Sequence, residues 1–271
     1  MRRLRSVLVT AALAVTATLA AAAPAHATGV TPGEYVALGD SFASGVGALP
    51  YDPASGACKQ SPDSYPRTWA RNHPAFTLRD MTCSGATIAD VRNRQMAALS
   101  TATTLVTVTV GGNDDGFTNT VTACLTGTDA ECKYATDLAA YYARTQLADD
   151  LAALYTDIRA RAPHARVLVL GYPRLVDEGT GSCGALSPSA ANRKQVTHNA
   201  DHLAAGIADA AGRAGVRFVE MRLPFLGHEA CGADPWINGV DPAQLSEIFH
   251  PNRYGHAVVY TFMLTAEINK L

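Results

Sequence analysis

Within its 271 residues this chain has little charge and few aromatics: 17% charged residues, 7% aromatic residues and a formal net charge of -2. The near-neutral balance and the absence of basic blocks exclude a polyanionic partner held by a cationic surface, and the aromatic scarcity argues against a base-stacking platform. No Cys-x-x-Cys pair is present, and the His228-Glu229 dipeptide runs into Ala230-Cys231 without reaching a second histidine, so the zinc patterns of short motifs are missing and no metal or cofactor is expected. No Gly-x-Ser-x-Gly occurs, which removes the nucleophile elbow of the α/β-hydrolases. No Gly-x-Gly-x-x-Gly opens a helix, which removes the dinucleotide fingerprint. Beyond the N-terminus no stretch reaches the roughly 20 apolar residues that a membrane-spanning helix needs.

The N-terminus itself is a targeting segment. Arg2, Arg3 and Arg5 precede an apolar run from Val7 to about Ala23 that ends near Ala25-His26-Ala27. A positive start, a short apolar core and small residues at the cleavage position predict a secretory signal peptide over residues 1–27 and a mature domain over residues 28–271. Export implies an oxidising, extracellular destination. All six cysteines, Cys58, Cys83, Cys124, Cys132, Cys183 and Cys231, lie in the mature part, and their even number predicts three disulfides. Six cysteines allow fifteen pairings, and counting does not choose among them.

Strand and helix patterns alternate along the mature chain. Apolar strand runs are read at Tyr35–Leu38, about Phe76–Met81, Thr104–Val110, Arg166–Leu170 and Val216–Glu220. Helical patterns fall at Tyr65–Asn72, Ile88–Leu99, Asp137–Ala162, Pro188–Ala214 and beyond Pro251. Such alternation predicts a single α/β/α sandwich around a mainly parallel, flavodoxin-like sheet. Ligands in such sheets bind beyond the carboxyl ends of the strands.

Chemistry gathers at those ends. Gly39-Asp40-Ser41-Phe42 follows the first strand, Cys83-Ser84-Gly85-Ala86 the second, and Gly111-Gly112-Asn113-Asp114 the third, while Phe249-His250-Pro251-Asn252 precedes the last helix. Acyl transfer needs a hydroxyl nucleophile, a base in hydrogen-bond reach and N–H donors aimed at the developing oxyanion. Ser41 offers the hydroxyl and its own amide, Gly85 a second amide, Asn113 a side-chain donor, and His250 the base. Taken singly, each segment reads as an ordinary turn. Their joint presence reverses that reading.

These four segments resemble the SGNH hydrolases, also called GDSL esterases and lipases, whose four letters fall on Ser41, Gly85, Asn113 and His250 in order. The likeness covers the chain from Tyr35 to the final helix and is strongest to extracellular actinobacterial lipases and phospholipase A1 enzymes. It implies a secreted esterase or lipase acting through an acyl-serine intermediate on lipid or medium-chain esters; no cofactor is expected, the charge balance argues against a nucleic-acid partner, and a monomer is the default. It also implies disulfides in chain order: Cys58 with Cys83, Cys124 with Cys132, Cys183 with Cys231. Many members place an aspartate three residues before the histidine, where this chain has Glu247. The actinobacterial pattern instead implies a backbone carbonyl that orients the imidazole, that of Ile248 first and of Glu247 second. Phe42, Leu49, Ile248 and Phe249 are expected to line an acyl groove. His256 is the competitor of His250 and is assigned a structural role. A carbohydrate acetylesterase, and an inactive secreted binding protein of the same fold, are the alternatives.

Overall fold

In a computed structural model that describes residues 32–179, 181–184 and 186–270, five strands form one parallel sheet in the order β2-β1-β3-β4-β5. They are β1 (Glu34–Gly39), β2 (Thr77–Asp80), β3 (Thr103–Thr109), β4 (Arg166–Leu170) and β5 (Arg217–Val219). The signal-peptide expectation falls outside the described residues. Among those residues no helix is long and apolar enough to cross a membrane.

The sheet order reverses direction once, between β1 and β3, and right-handed crossovers turn that reversal into a two-faced sandwich. The chain leaves β1 for the edge strand β2 through α2 (Tyr65–Asn72), then returns past β1 to β3 through α3 (Ile88–Asn93). Helix α6 (Ala148–Arg161) links β3 to β4, and α7 (Ala190–Ala214) links β4 to β5. Opposite directions of travel put helices on opposite faces: α6 packs on α3 and α7, while α2 packs on α8 (Thr261–Asn269). With helices on both sides, β1 and β3 are buried throughout their central residues, which explains their near-continuous apolar composition.

Most expected elements fall within two residues of their observed bounds, and the exceptions have local causes. The Ile88–Leu99 pattern breaks at Arg94, after which Gln95–Ala98 continues as a tighter 3-10 turn. Where one helix was expected over Asp137–Ala162, helical structure begins at Asp129, with α5 (Asp129–Tyr142). Thr128 caps it and Glu131 returns the hydrogen bond, a reciprocal arrangement that satisfies two end amides. A π turn over Ala143–Leu147 then joins α5 to α6. Helix α4 (Phe117–Thr126) was not expected from its threonine-rich sequence. Low helix propensity hid it, and packing holds it: Cys124 is tied to Cys132 of α5, and its carbonyl accepts the Asn192 amide of α7 at 3.0 Å.

The structure joins Cys58 to Cys83, Cys124 to Cys132 and Cys183 to Cys231, and no described cysteine is free.

Candidate active site

The reversal point between β1 and β3 is where the sandwich opens a crevice, and both turns that flank it carry expected site residues. At the end of β1, Gly39 has φ +133 and sits so close to the backbone of Thr109 that a Cβ would collide with its carbonyl oxygen. Glycine there lets β1 and β3 end side by side. The amide of Gly39 donates to Gln95 Oε1 at 2.7 Å and its carbonyl accepts from Gln95 Nε2 at 2.9 Å, so a buried amide side chain grips the turn from both sides. Asp40 then caps the short helix α1 (Ser41–Ser44), its Oδ1 accepting the amide of Phe42 at 2.9 Å. Ser41 is the first residue of that helix, its hydroxyl facing outward from the strand end.

His250 arrives from the far end of the chain. Its Nε2 lies 2.8 Å from Ser41 Oγ, and its Nδ1 lies 3.0 Å from the carbonyl oxygen of Ile248. With Nδ1–H donating to a carbonyl, Nε2 is left as the acceptor for the serine hydroxyl. The ring is buried beside Phe42 and Phe117, at centroid distances of 4.9 and 5.6 Å. Burial lowers its pKa to about 4, with the Ile248 carbonyl opposing and the Lys59 charge adding to the fall. A neutral imidazole at ordinary pH is the form that accepts a proton.

Glu247 does not reach the imidazole. Its Oε2 accepts the amide of Gly47 at 2.6 Å and the hydroxyl of Tyr51, which pins the loop after α1 to the segment carrying His250. A second clip comes from Asn238, whose backbone N–H donates to the His250 carbonyl at 2.9 Å and whose carbonyl accepts from Phe249 at 3.0 Å. Its side-chain amide reaches the carbonyl of Gly47 at 3.1 Å. Neither Asn238 nor Gln95 stands in a motif, so nothing in the sequence marked them.

The remaining expected donors line the same crevice. Gly85 has φ +78, and a Cβ there would meet nothing within 4 Å. The left-handed backbone, rather than room for substrate, is what calls for glycine at this turn. Asn113 follows β3 and gives one side-chain N–H to the Ala86 carbonyl at 3.0 Å, leaving the other free to point at a ligand. Ser41, Gly85, Asn113 and His250 all border one groove of about 510 Å³.

That groove is walled by residues distant in sequence: Val121 and Leu125 of α4, with Val240, Pro242, Leu245 and Ile248 opposite. Of the four apolar residues expected to line it, Ile248 does. Phe42 borders an adjoining cavity of about 40 Å³ that shares Ser41, Asn113, Phe117 and Val121 with the groove. Leu49 lies exposed, and Phe249 turns wholly into the core from a left-handed backbone, φ +58. Sequence nearness to Ser41 and His250 is a poor guide here because both sit at sharp turns that send successive side chains in different directions.

His256 is fully buried, stacked with Tyr65 at 6.4 Å between centroids, and neither ring nitrogen has a partner. Asp114 accepts the amide of Ile88 at the start of α3, as a helix-start carboxylate would. Its neighbour Asp115 is buried against Asn199 of α7, and burial pushes its carboxyl up to about 8.

Residues 37–258 match the GDSL-like Lipase/Acylhydrolase family. The chain is 39% identical over 250 residues to Lipase 1 of Streptomyces coelicolor, covering 92% of this chain and 90% of that protein. Among solved structures, it is similar to phospholipase A1 from Streptomyces albidoflavus, with 37% identity, a TM-score of 0.83, and coverage of 87% of this chain and 99% of that one. An extracellular lipase from Streptomyces rimosus aligns at 38% identity and a TM-score of 0.82, over 86% of this chain and 99% of the other.

Proposed function

Because the chain belongs to the GDSL-like lipase/acylhydrolase family and is a carboxylic ester hydrolase, we propose that it is exported and cleaves lipid or medium-chain esters with Ser41 as nucleophile and His250 as base. The observation that carries this reading is the 2.8 Å contact between Ser41 Oγ and His250 Nε2 on the floor of an apolar groove.

Ser41 Oγ attacks the ester carbonyl as its proton passes to Nε2. The carbonyl oxygen becomes an oxyanion, which the amides of Ser41 and Gly85 and the Asn113 side chain receive; loss of one such donor typically costs about 10²–10³ in rate. The imidazolium then hands its proton to the departing alkoxide, and the alcohol leaves. In the second half-reaction water gives a proton to Nε2 as its oxygen attacks the acyl carbon, and Ser41 Oγ leaves with that proton. Ile248 keeps Nδ1 protonated throughout, so Nε2 always faces the serine.

Val121, Leu125, Val240 and Leu245 give an aliphatic chain apolar surface to lie on, beside the polar Ser84, Thr118, Thr122, Thr126 and Ser246 of the same groove, and this apolar wall supports the lipid or medium-chain reading. An N-terminal leader, three disulfides and an extracellular relative support export.

The test is hydrolysis of p-nitrophenyl esters from acetate to palmitate, and of phospholipid, by the mature protein beside Ser41→Ala and His250→Ala. Both variants are expected to lose at least about 10³-fold in kcat, with the wild-type optimum beyond acetate. Full activity in Ser41→Ala overturns the mechanism, and an acetate optimum overturns the substrate class.

A further inference from the structure

The small cavity that adjoins the groove at Ser41 is bordered by Tyr172, which follows β4 in the strand-closing Gly171-Tyr172-Pro173. We propose that Tyr172 is a positioning residue of the reaction, holding the Ser41 turn and the Asn113 turn at the separation that the oxyanion requires.

Its single hydroxyl spans both turns. It donates to Asp40 Oδ2 at 2.6 Å, and it accepts the amide of Gly112 at 3.1 Å. Asp40 immediately precedes the nucleophile, and Gly112 immediately precedes Asn113. The other oxygen of Asp40 takes the amide of Phe42 at 2.9 Å, so the grip reaches both neighbours of Ser41. The Tyr172 ring stands edge-on to the Phe42 ring, with centroids 4.9 Å apart and planes at 84°. Phe42 in turn lies 4.9 Å from the His250 ring, so the contact chain runs from Tyr172 to the base as well. On its other flank the ring tip leaves Gly112 no room: a Cβ there would come within 3.2 Å of it.

The anchor is itself fixed. Gly171 donates to the Val219 carbonyl at 3.0 Å, and its own carbonyl accepts the Tyr260 hydroxyl at 2.9 Å. Tyr172 therefore starts from a point held by β5 and the last helix. Three strand ends, those of β1, β3 and β4, meet at one hydroxyl.

The arrangement matters because the donors proposed for the oxyanion come from different strands. The amide of Ser41 moves with β1 and the side chain of Asn113 with β3, and neither hydrogen-bonds directly to the other. A displacement near 1 Å of one reacting group against another can cost about 10² in rate. Burial pushes the Asp40 carboxyl up to about 7, and the hydrogen bonds from the Tyr172 hydroxyl and the Phe42 amide oppose that rise. Without the hydroxyl, Asp40 Oδ2 and the Gly112 amide both lose their partner, and the two turns are free to shift independently.

This inference rests on the roles given above to Ser41 and Asn113. The experiment measures kcat and KM on a soluble short-chain ester for Tyr172→Phe, Asn113→Ala, the double variant and Ser41→Ala. Rates of the proteins that keep Ser41 are normalised to active sites counted by phosphonate titration and that of Ser41→Ala to total folded protein, with thermal unfolding followed in parallel. Tyr172→Phe should lower kcat about 10- to 100-fold, the cost of letting the two turns shift by about 1 Å, with KM within about twofold. In the Asn113→Ala background the same change should cost under about threefold, because the donor it positions is already gone.

A kcat retained within threefold in Tyr172→Phe overturns the proposal. So does an equal loss with and without Asn113, which would mark a structural effect only. Should Tyr172→Phe fail to fold, Gly112→Ala serves instead: it presses on the ring while keeping the hydroxyl, and must show the same dependence on Asn113. Activity persisting in Ser41→Ala would sink the mechanism as a whole, whereas an inactive Ser41→Ala beside an unaffected Tyr172→Phe sinks the role of Tyr172 alone.

Discussion

Nδ1 of His250 lies 3.0 Å from the carbonyl oxygen of Ile248, two residues earlier in the same turn. The imidazole is thus oriented by its own backbone, and Glu247 is spent on Gly47 and Tyr51. A neutral carbonyl fixes the tautomer as a carboxylate would, but lends the imidazolium less electrostatic stabilisation.

Glu247→Gln should therefore leave kcat within about threefold, whereas loss of a true triad carboxylate costs about 10⁴. Its effect belongs on stability. A glutamine oxygen can still accept both donors but carries no charge, and exchanging charge-assisted for neutral hydrogen bonds costs about 1 kcal/mol. Steady-state kinetics beside denaturant unfolding separates the two, and a kcat loss near 10⁴ would restore Glu247 to the catalytic set.

The second expectation concerns acid. Burial first, and Lys59 second, depress the His250 pKa to about 4 in the folded state, against an ordinary value near 6.5. The base form thus persists well below neutrality and is lost as pH falls through about 4. NMR titration of the His250 ring in the Ser41→Ala protein reads this directly; a midpoint near 6.5 would contradict it.

His256 should be dispensable for chemistry and costly for folding. Both ring nitrogens are buried without partners, a state worth about 1–3 kcal/mol of destabilisation per group. Burial lowers its pKa to about 3, so the unfolded chain binds a proton that the folded one refuses as pH falls below about 6.5. Stability associated with this group is present above that value and is lost toward pH 3. His256→Leu should raise the unfolding midpoint at pH 7, raise it further at pH 4.5, and keep kcat within about twofold. Differential scanning calorimetry at the two pH values tests the sign.

Asp115 carries the opposite pH dependence. Burial, with Asp114 adding a little, pushes its carboxyl up to about 8. The folded protein holds a proton that the unfolded chain releases above about pH 4, so the associated stability is complete below that value and lost as pH rises toward 8. Asp115→Asn keeps the acceptor for Asn199 and removes the ionisation. It should stabilise the protein by on the order of 2 kcal/mol at pH 8 and by little at pH 4. Equal effects at both pH values would show that Asp115 does not titrate as buried.

Much of this molecule was readable without coordinates, and the reasons are local. Strands covered on both faces are written as unbroken apolar runs, so β1, β3 and β4 stand out as Tyr35-Val36-Ala37-Leu38, Thr104–Val110 and Arg166–Leu170. Their alternation with helices dictates a parallel sheet, and a parallel sheet puts its ligands at the strand ends where Ser41, Gly85 and Asn113 sit. Helix α4 escaped because threonine-rich segments are poor helix formers, and tertiary contacts hold this one in place: a disulfide, α7 and the packing of Phe117, Val121 and Leu125 on the core.

What the chain order did not convey is how the site is braced over distance. The groove walls, the grip of Gln95 on Gly39, the clip of Asn238 on His250 and the span of Tyr172 from Asp40 to Gly112 join residues 12 to 132 positions apart. Such side chains carry no periodicity and no turn preference, since a buried polar group is selected by whichever unpaired donor or acceptor the fold happens to bring beside it. Local sequence determined which residues could do acyl chemistry and on which strand ends they stand; tertiary packing decided how those ends are held together, and so where the Glu247 carboxylate is spent and which hydroxyl ties the two turns.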